Sequence, residues 1–299
     1  MPEEGIELRD KSEFMSGEEL INIAKSFVDL GIKKIRLTGG EPLIKKNAEF
    51  IIRELGKLPI DLAITTNAVI VHRFIDVFKE AGIKSVNVSL DSLQEDLFNE
   101  ISRRGYFKQI MENIELLVKE DFHVKINVVV IRGVNEHEVI DFVEWTRDKN
   151  VHVRFIEFMP FDGNNWNWEK KISYKEIIQD VRSNLGEDAF FKIEDQPNDT
   201  ARNFQLKGGI GTFGIISSVT NPFCDTCNRI RLTADGKIKN CLFSEDETDI
   251  LGAFRENKDI EPLIRETIDN KHKERGGLAD FSDENVLLHK NRSMTTIGG

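Results

Sequence analysis

All three cysteines of the chain fall in one stretch, at Cys224, Cys227 and Cys241. The first two are spaced C-x2-C, which can turn two thiolates onto one point. Asp235-Gly236, a strong hairpin signal, lies between Cys227 and Cys241 and lets the third thiolate return to that point. Three thiolates are one ligand short of the closed four-coordinate site that structural zinc takes. His272 is the nearest imidazole in sequence, with His72, His123, His137, His152 and His289 besides, and Asp225 is poorly placed inside the pair. A three-thiolate site with an open position suits an iron–sulfur cluster that keeps one iron free. An incomplete zinc site competes with this reading, as do three unrelated buried cysteines. Pro222 and Asp225-Thr226 mark the stretch as a loop rather than a core strand.

Arg229 and Arg231 follow directly. In an extended strand alternate residues share a face, so Cys227, Arg229 and Arg231 are expected to point the same way. Two guanidinium forks beside a metal site make a pocket for phosphate oxygens. Two solvated arginines on an edge strand are the plain alternative.

The elements that must position these groups read as repeating βα units. Ser16 and Glu19 form a capping box for a helix whose stripe is Leu20, Ile23, Ala24, Phe27 and Val28, closed by Gly31. Strands are expected at 34–38, 62–66, 85–90, 124–131 and 151–158. Helices are expected at 48–55, 74–81 and 136–147, with a long helical stretch, open to a break, from Gln94 to Lys119. This alternation predicts a parallel α/β sheet of the β/α-barrel kind, with helices on one face and a core on the other. Polar residues gather where the strands end: Thr38-Gly39-Gly40-Glu41, Thr65-Thr66-Asn67, Ser89-Leu90-Asp91-Ser92, Arg132-Gly133 and Glu157-Phe158-Met159. In such barrels those ends carry the chemistry. Arg36, Lys125 and Arg154 sit inside three different strands of an acidic chain, which suggests a lumen built for a polyanion.

Composition shifts after Pro160, and a boundary is expected near residue 162, giving domains of 1–162 and 163–299. Helices are expected at 173–185, 248–253 and 260–271, β-rich sequence through Gly211, and a loop-like tail from Gly276 to Gly299. The 299 residues are 39% hydrophobic and 31% charged, as in soluble globular proteins, with a net charge of −11 that argues against general nucleic-acid binding. No apolar run approaches the roughly 20 residues of a membrane span. Clustered thiols without a disulfide framework are expected in a reducing cytoplasm.

Five segments together resemble a known family: Ile35–Leu43 (IRLTGGEPL), Asn87–Leu93 (NVSLDSL), Arg154–Pro160 (RFIEFMP), Pro222–Leu242 (PFCDTCNRIRLTADGKIKNCL) and the terminal Gly298-Gly299. The chain is similar over nearly its whole length to the molybdenum cofactor biosynthesis protein A family, the radical S-adenosylmethionine GTP 3′,8-cyclases. The resemblance implies an incomplete TIM-like radical SAM barrel with a C-terminal α+β domain. It implies conversion of GTP to (8S)-3′,8-cyclo-7,8-dihydroguanosine 5′-triphosphate by radical chemistry. Gly40, Ser89 and Met159 would contact S-adenosylmethionine. Arg36, Thr65, Lys125, Arg229 and Arg231 would contact GTP, with Arg154 lining the site. Cys224, Cys227 and Cys241 would hold a [4Fe–4S] cluster whose open iron meets the guanine base, and Gly298-Gly299 would reach into the active site. Implied partners are an electron donor, cyclic pyranopterin monophosphate synthase as the next enzyme, and a second copy in a homodimer. The family also carries a C-x3-C-x2-C motif for a first cluster, which the sequence as given does not contain, nor the first barrel strand and an upstream arginine. The chain as given is therefore expected not to cleave S-adenosylmethionine alone. An inactive GTP- and cluster-binding protein, or a zinc-stabilised binding protein, are the alternatives.

Overall fold

The computed structural model describes residues 9–282, 286 and 291–297. The terminal Gly298-Gly299, expected to reach into the active site, lies outside the described residues. Helix α1 (Gly17–Asp29) starts at the expected capping box: the Ser16 side chain accepts from the Glu19 N–H, and the Glu19 carboxylate accepts from the Ser16 N–H. Five parallel strands follow, β1 (Lys34–Leu37), β2 (Asp61–Thr66), β3 (Ser85–Ser89), β4 (His123–Val130) and β5 (Val151–Glu157). Helices α2 (Ala48–Gly56), α3 (Ile75–Glu80), α4 (Glu95–Ser102), α5 (Phe107–Lys119) and α6 (Val139–Asp148) alternate with them. The 94–119 stretch does break, at Arg103, which ends α4 in the left-handed region with φ of 56°.

After α7 (Tyr174–Leu185), the strands β6 (Phe190–Lys192), β7 (Arg202–Leu206) and β8 (Thr212–Ile216) return to the same sheet. Its order is β1-β2-β3-β4-β5-β8-β7-β6, with β8 parallel to β5, and β7 and β6 antiparallel. The main sheet therefore runs on beyond residue 162.

One face of this sheet is the apolar core. Ile64, Val86, Val88, Ile126, Val153, Phe155 and Phe213 are buried there in one cluster with side chains of the helices. The other face is not the second core that the strand pattern suggested but a polar lumen, as Arg36, Lys125 and Arg154 suggested. Thr65, Asn87, Lys125, His152 and Thr212 stand side by side on adjacent strands, in register. Period-2 alternation forces this division: if the aliphatic residues face the helices, every polar neighbour faces the lumen.

A second, three-stranded antiparallel sheet holds the cysteine hairpin: β9 (Arg231–Leu232), β10 (Lys237–Lys239) and β11 (Thr248–Asp249). Gly236 has φ of 72° in the expected turn, and an added Cβ would lie 2.2 Å from Leu251 Cβ, so both conformation and space require glycine. Among the described residues, helices α8 (Ile250–Arg255), α9 (Glu261–Asp269) and α10 (Met294–Ile297) follow. The helix expected from residue 248 starts at Ile250, because Thr248 and Asp249 pair with β10 and Asp249 caps the helix through the Gly252 N–H at 2.9 Å. Short α10 lies in the tail expected as loop. Met15, Ile23 and Phe27 pack against Ile238, Leu251 and Ile264, so α1 seats the small sheet. Each such buried side chain contributes roughly 1.5–3 kcal/mol.

Candidate active site

The lumen face gathers cations with little to neutralise them. Arg36, on β1, is held below the usual guanidinium range by burial first and then by the charge of Arg229. Its Nη1 is buried and has no hydrogen-bond partner. Arg154, on β5, is pushed down to about 9 by burial and by Arg36 and Arg229, with Asp199 opposing. Its Nε and Nη2 donate to Asn127 Oδ1 at 2.9 and 2.5 Å. Lys125, on β4, is lowered to about 8 by burial, then by Arg154, Arg36 and Lys34, with Asp199 opposing again. Four of the expected anion-binding residues thus share one field: Arg36, Lys125, Arg154 and Arg229. Thr65 joins them through Asn87, whose Nδ2 donates to Thr65 Oγ1 at 3.3 Å. Asn87 Oδ1 is itself buried without a partner. Buried polar atoms in native proteins are usually paired, so an orphan donor and an orphan acceptor in one lumen mark the place of a polar, anionic ligand.

The rim above the lumen is built around Glu41. Its carboxylate accepts from Leu43 N–H (3.1 Å), Thr66 Oγ1 (2.8 Å) and Asn67 N–H (2.7 Å), tying the end of β1 to the end of β2. Burial still holds this carboxyl above its ordinary range. The tie fixes Gly39-Gly40; Gly39 has φ of 117°, and an added Cβ at Gly40 would meet nothing within 4 Å. Ser89 ends β3 beside Asn127. Met159 follows β5, where Asn164 Nδ2 donates to its carbonyl at 2.7 Å and Trp166 Nε1 donates to the Phe158 carbonyl at 2.8 Å. Met159 packs in one apolar cluster with Val219, Phe243 and Cys241, which links the rim to the cysteine hairpin.

The cysteine segment departs from expectation in form. Cys224–Thr226 is a 3-10 turn, residues 227–230 are loop, and strand β9 begins only at Arg231. The two arginines therefore do not share a strand face with Cys227. Arg229 turns towards the lumen, lies over the Phe223 ring at 5.7 Å, and donates to the Asn198 carbonyl. Arg231 is lowered by burial, with the charges of Cys241 and Cys227 pulling it back up. The charge of Arg229 adds to the lowering, so Arg231 shares the field of the thiols and of Arg229. The expected hairpin does return the third cysteine: Lys239 pairs with Arg231 across it, and Cys241 follows two residues later.

The three thiols are half-buried. Burial pushes Cys241 up; the Phe243 N–H and Lys271 oppose this, while the charges of Cys227 and Cys224 add to it. Burial also raises Cys227, but the Arg229 N–H, Lys271 and the Arg229 charge outweigh it and leave its pKa lowered. Among the described residues, no three His, Cys, Asp or Glu side chains are arranged to hold one metal ion. A tetrahedral zinc with bonds of about 2.3 Å would draw its sulfurs together around one point. A [4Fe–4S] cube takes thiolate ligands as well, and Cys224, Cys227 and Cys241, half-buried and within one another's electrostatic reach, are the residues that would hold it. With all three cysteines here, the sequence as given offers no thiols for the cluster of the C-x3-C-x2-C motif.

Three residues at the site carried no role in the sequence. Glu157 is wholly buried and accepts from Val219 and Thr220 (N–H and Oγ1). Asn87 could have been found by counting period 2 against Lys125. Lys271 could not, since its partners are 42 and 44 residues away.

A mostly parallel β/α sheet with a cation-lined lumen, rimmed by Gly39-Gly40 and followed by a small domain with a three-cysteine hairpin, fits the radical SAM class of α/β protein. Residues 3–146 match the Radical SAM superfamily, and residues 151–276 match Molybdenum Cofactor Synthesis C. The GTP 3′,8-cyclase of Listeria welshimeri is 38% identical over 304 residues, covering 100% of this chain and 91% of that protein. The mitochondrial GTP 3′,8-cyclase of Arabidopsis thaliana is 40% identical over 305 residues, covering 100% of this chain and 76% of that protein. The chain belongs to the GTP 3′,8-cyclase family of molybdenum cofactor biosynthesis. It spans about half the length of other relatives: Molybdenum cofactor biosynthesis protein 1 of Drosophila melanogaster is 39% identical over 285 residues, 93% of this chain and 50% of that protein. The crystal structure of Streptococcus suis SuiB bound to S-adenosylmethionine shares the fold, with a TM-score of 0.56 at 13% identity over 98% of this chain and 72% of that one. No helix among the described residues is long and apolar enough to cross a membrane.

Proposed function

We propose that the chain binds the triphosphate of GTP in its cationic lumen and holds a [4Fe–4S] cluster at Cys224, Cys227 and Cys241, as part of a GTP 3′,8-cyclase that forms (8S)-3′,8-cyclo-7,8-dihydroguanosine 5′-triphosphate. The observation that carries this reading is the buried, unpartnered Nη1 of Arg36 among the charges of Lys125, Arg154 and Arg229. Desolvated cations that repel one another persist where a ligand repays them, and a triphosphate does so with charge-assisted hydrogen bonds. The cluster, when bound, supplies an open iron for the guanine base. The chain's own part is to bind and orient. Arg36, Lys125, Arg154 and Arg229 hold phosphate oxygens, Thr65 and Asn87 present polar atoms to the nucleotide, and Arg231 sits beside the thiolates. Gly40, with open space where a Cβ would stand, lets S-adenosylmethionine approach the backbone, and Ser89 and Met159 flank it. Holding both ligands in one water-poor lumen is what the protein adds to the cofactors' chemistry.

In this reading residues 1–162 supply most of the barrel and the lumen cations Arg36, Lys125 and Arg154, and 163–299 supply the cysteine hairpin and Arg229, with β6–β8 extending the barrel sheet. An electron donor, the next enzyme cyclic pyranopterin monophosphate synthase, and a homodimer partner belong to the proposal, as does a reducing compartment. Calorimetry of GTP binding to anaerobically reconstituted protein tests it. GTP is expected to bind, with Arg154→Met weakening it ten- to a hundredfold. Equal affinity in wild type and variant would move the triphosphate out of the lumen.

A further inference from the structure

Lys271 follows the last turn of α9, where its backbone N–H donates to the Ile268 carbonyl at 3.1 Å. Its side chain leaves that helix for the cysteine loop. Nζ donates to the Arg229 carbonyl at 2.8 Å, to the Cys227 carbonyl at 3.2 Å and to Cys227 Sγ at 3.4 Å. An ammonium has three donors and no acceptor, and all three are directed at one three-residue loop. The loop has no strand to hold it, since residues 227–230 lie between a 3-10 turn and the start of β9. Lys271 is therefore the cross-brace that a regular element would otherwise supply.

We propose that Lys271 is a positioning residue of the cluster site: it fastens the Cys227–Arg229 loop and gives the Cys227 sulfur a charged hydrogen bond. The inference rests on the reading of Cys224, Cys227 and Cys241 as cluster ligands. Two consequences follow from elementary electrostatics. A cluster becomes more negative on reduction, so a cation hydrogen-bonded to a ligand sulfur favours the reduced form and raises the potential. The same ammonium fixes the Arg229 carbonyl, and so keeps the Arg229 guanidinium facing Arg36 and Arg154. Lys271 would thus act on both the cluster and the phosphate pocket while touching neither reacting atom.

Midpoint potentials of the reconstituted cluster in wild type, Lys271→Arg and Lys271→Met, read by an EPR-monitored redox titration, test this. In Lys271→Met the reduced-to-oxidised ratio at a fixed potential should fall about tenfold, about 59 mV for one electron, with iron and sulfide content kept. Calorimetry should show weaker GTP binding in the same variant. Lys271→Arg should restore both. Lys271→Gln, which keeps a donor but no charge, should shift the potential in the same direction and serves if the Met variant does not fold. A midpoint shared by wild type and both uncharged variants overturns the inference and leaves the cluster reading standing. An iron content that Cys227→Ala leaves unchanged removes the cluster reading itself, and this inference with it.

Discussion

Glu157, at the end of β5, accepts the backbone N–H groups of Val219 at 2.8 Å and Thr220 at 2.9 Å, and so joins the barrel to the segment that leads into the cysteine loop. The carboxylate is wholly buried, and the Thr220 hydroxyl donates to its other oxygen. An acceptor-only group is what three converging donors require.

Glu157→Gln should therefore destabilise the fold: its Oε1 can still accept the two N–H groups, but the charge that strengthens those bonds is lost, and its NH2 is tolerated only if the Thr220 hydroxyl turns to accept. Hydrogen bonds to a charged group contribute about 1.5–3 kcal/mol each net, and a buried unpaired donor costs about 1–3 kcal/mol. Urea denaturation should show a loss of about 2–4 kcal/mol. An unchanged midpoint would mean that the 217–221 turn holds itself.

Arg36→Met should separate stability from binding. The ligand-free protein loses a desolvated charge with an orphan donor, so its stability should hold or rise by about 1 kcal/mol. GTP affinity should fall ten- to a hundredfold. Paired calorimetry and denaturant curves check both. A large loss of stability would show Arg36 to be a structural residue instead.

Much of this arrangement was legible in the sequence, for identifiable reasons. The α1 capping box and the Asp235-Gly236 hairpin are local signals, complete within a few residues, and both are where they were expected. The barrel strands follow from apolar runs at regular spacing. The Cys227–Arg231 geometry was not legible, because strand period was assumed over 227–230, where the chain is a loop after a 3-10 turn; a loop held by Lys271 from beyond another helix leaves no local trace. The lumen cations Arg36, Lys125 and Arg154 were legible, but the polar row between them was not. Thr65, Asn87 and His152 look like ordinary half-exposed strand residues until register aligns them with Lys125.

Lys125 should make GTP binding depend on pH. Its pKa is lowered to about 8, first by burial and then by Arg154, Arg36 and Lys34. Below that value the ammonium is present to meet a phosphate; above it the charge is lost. Affinity should fall as pH rises from 7 to 9, and Lys125→Arg should flatten the dependence, since a guanidinium does not titrate there. Ligand-free stability should move the other way. Between about pH 8 and the ordinary lysine value the unfolded chain binds the extra proton, so stability rises with pH in that window. Opposite pH trends in calorimetry and in chemical denaturation check the pair, and parallel trends would contradict it.

In the proposed function the three-cysteine hairpin holds a cluster whose open iron lies beside the lumen that binds GTP. EPR of the reduced, anaerobically reconstituted protein, recorded with and without GTP alongside its iron content, tests it most directly. The account predicts about four irons per chain, lost in Cys227→Ala, and a cluster signal that GTP changes in wild type but, at the same concentration, much less in Arg36→Met. Zinc in place of iron, or a cluster signal indifferent to GTP, would contradict it.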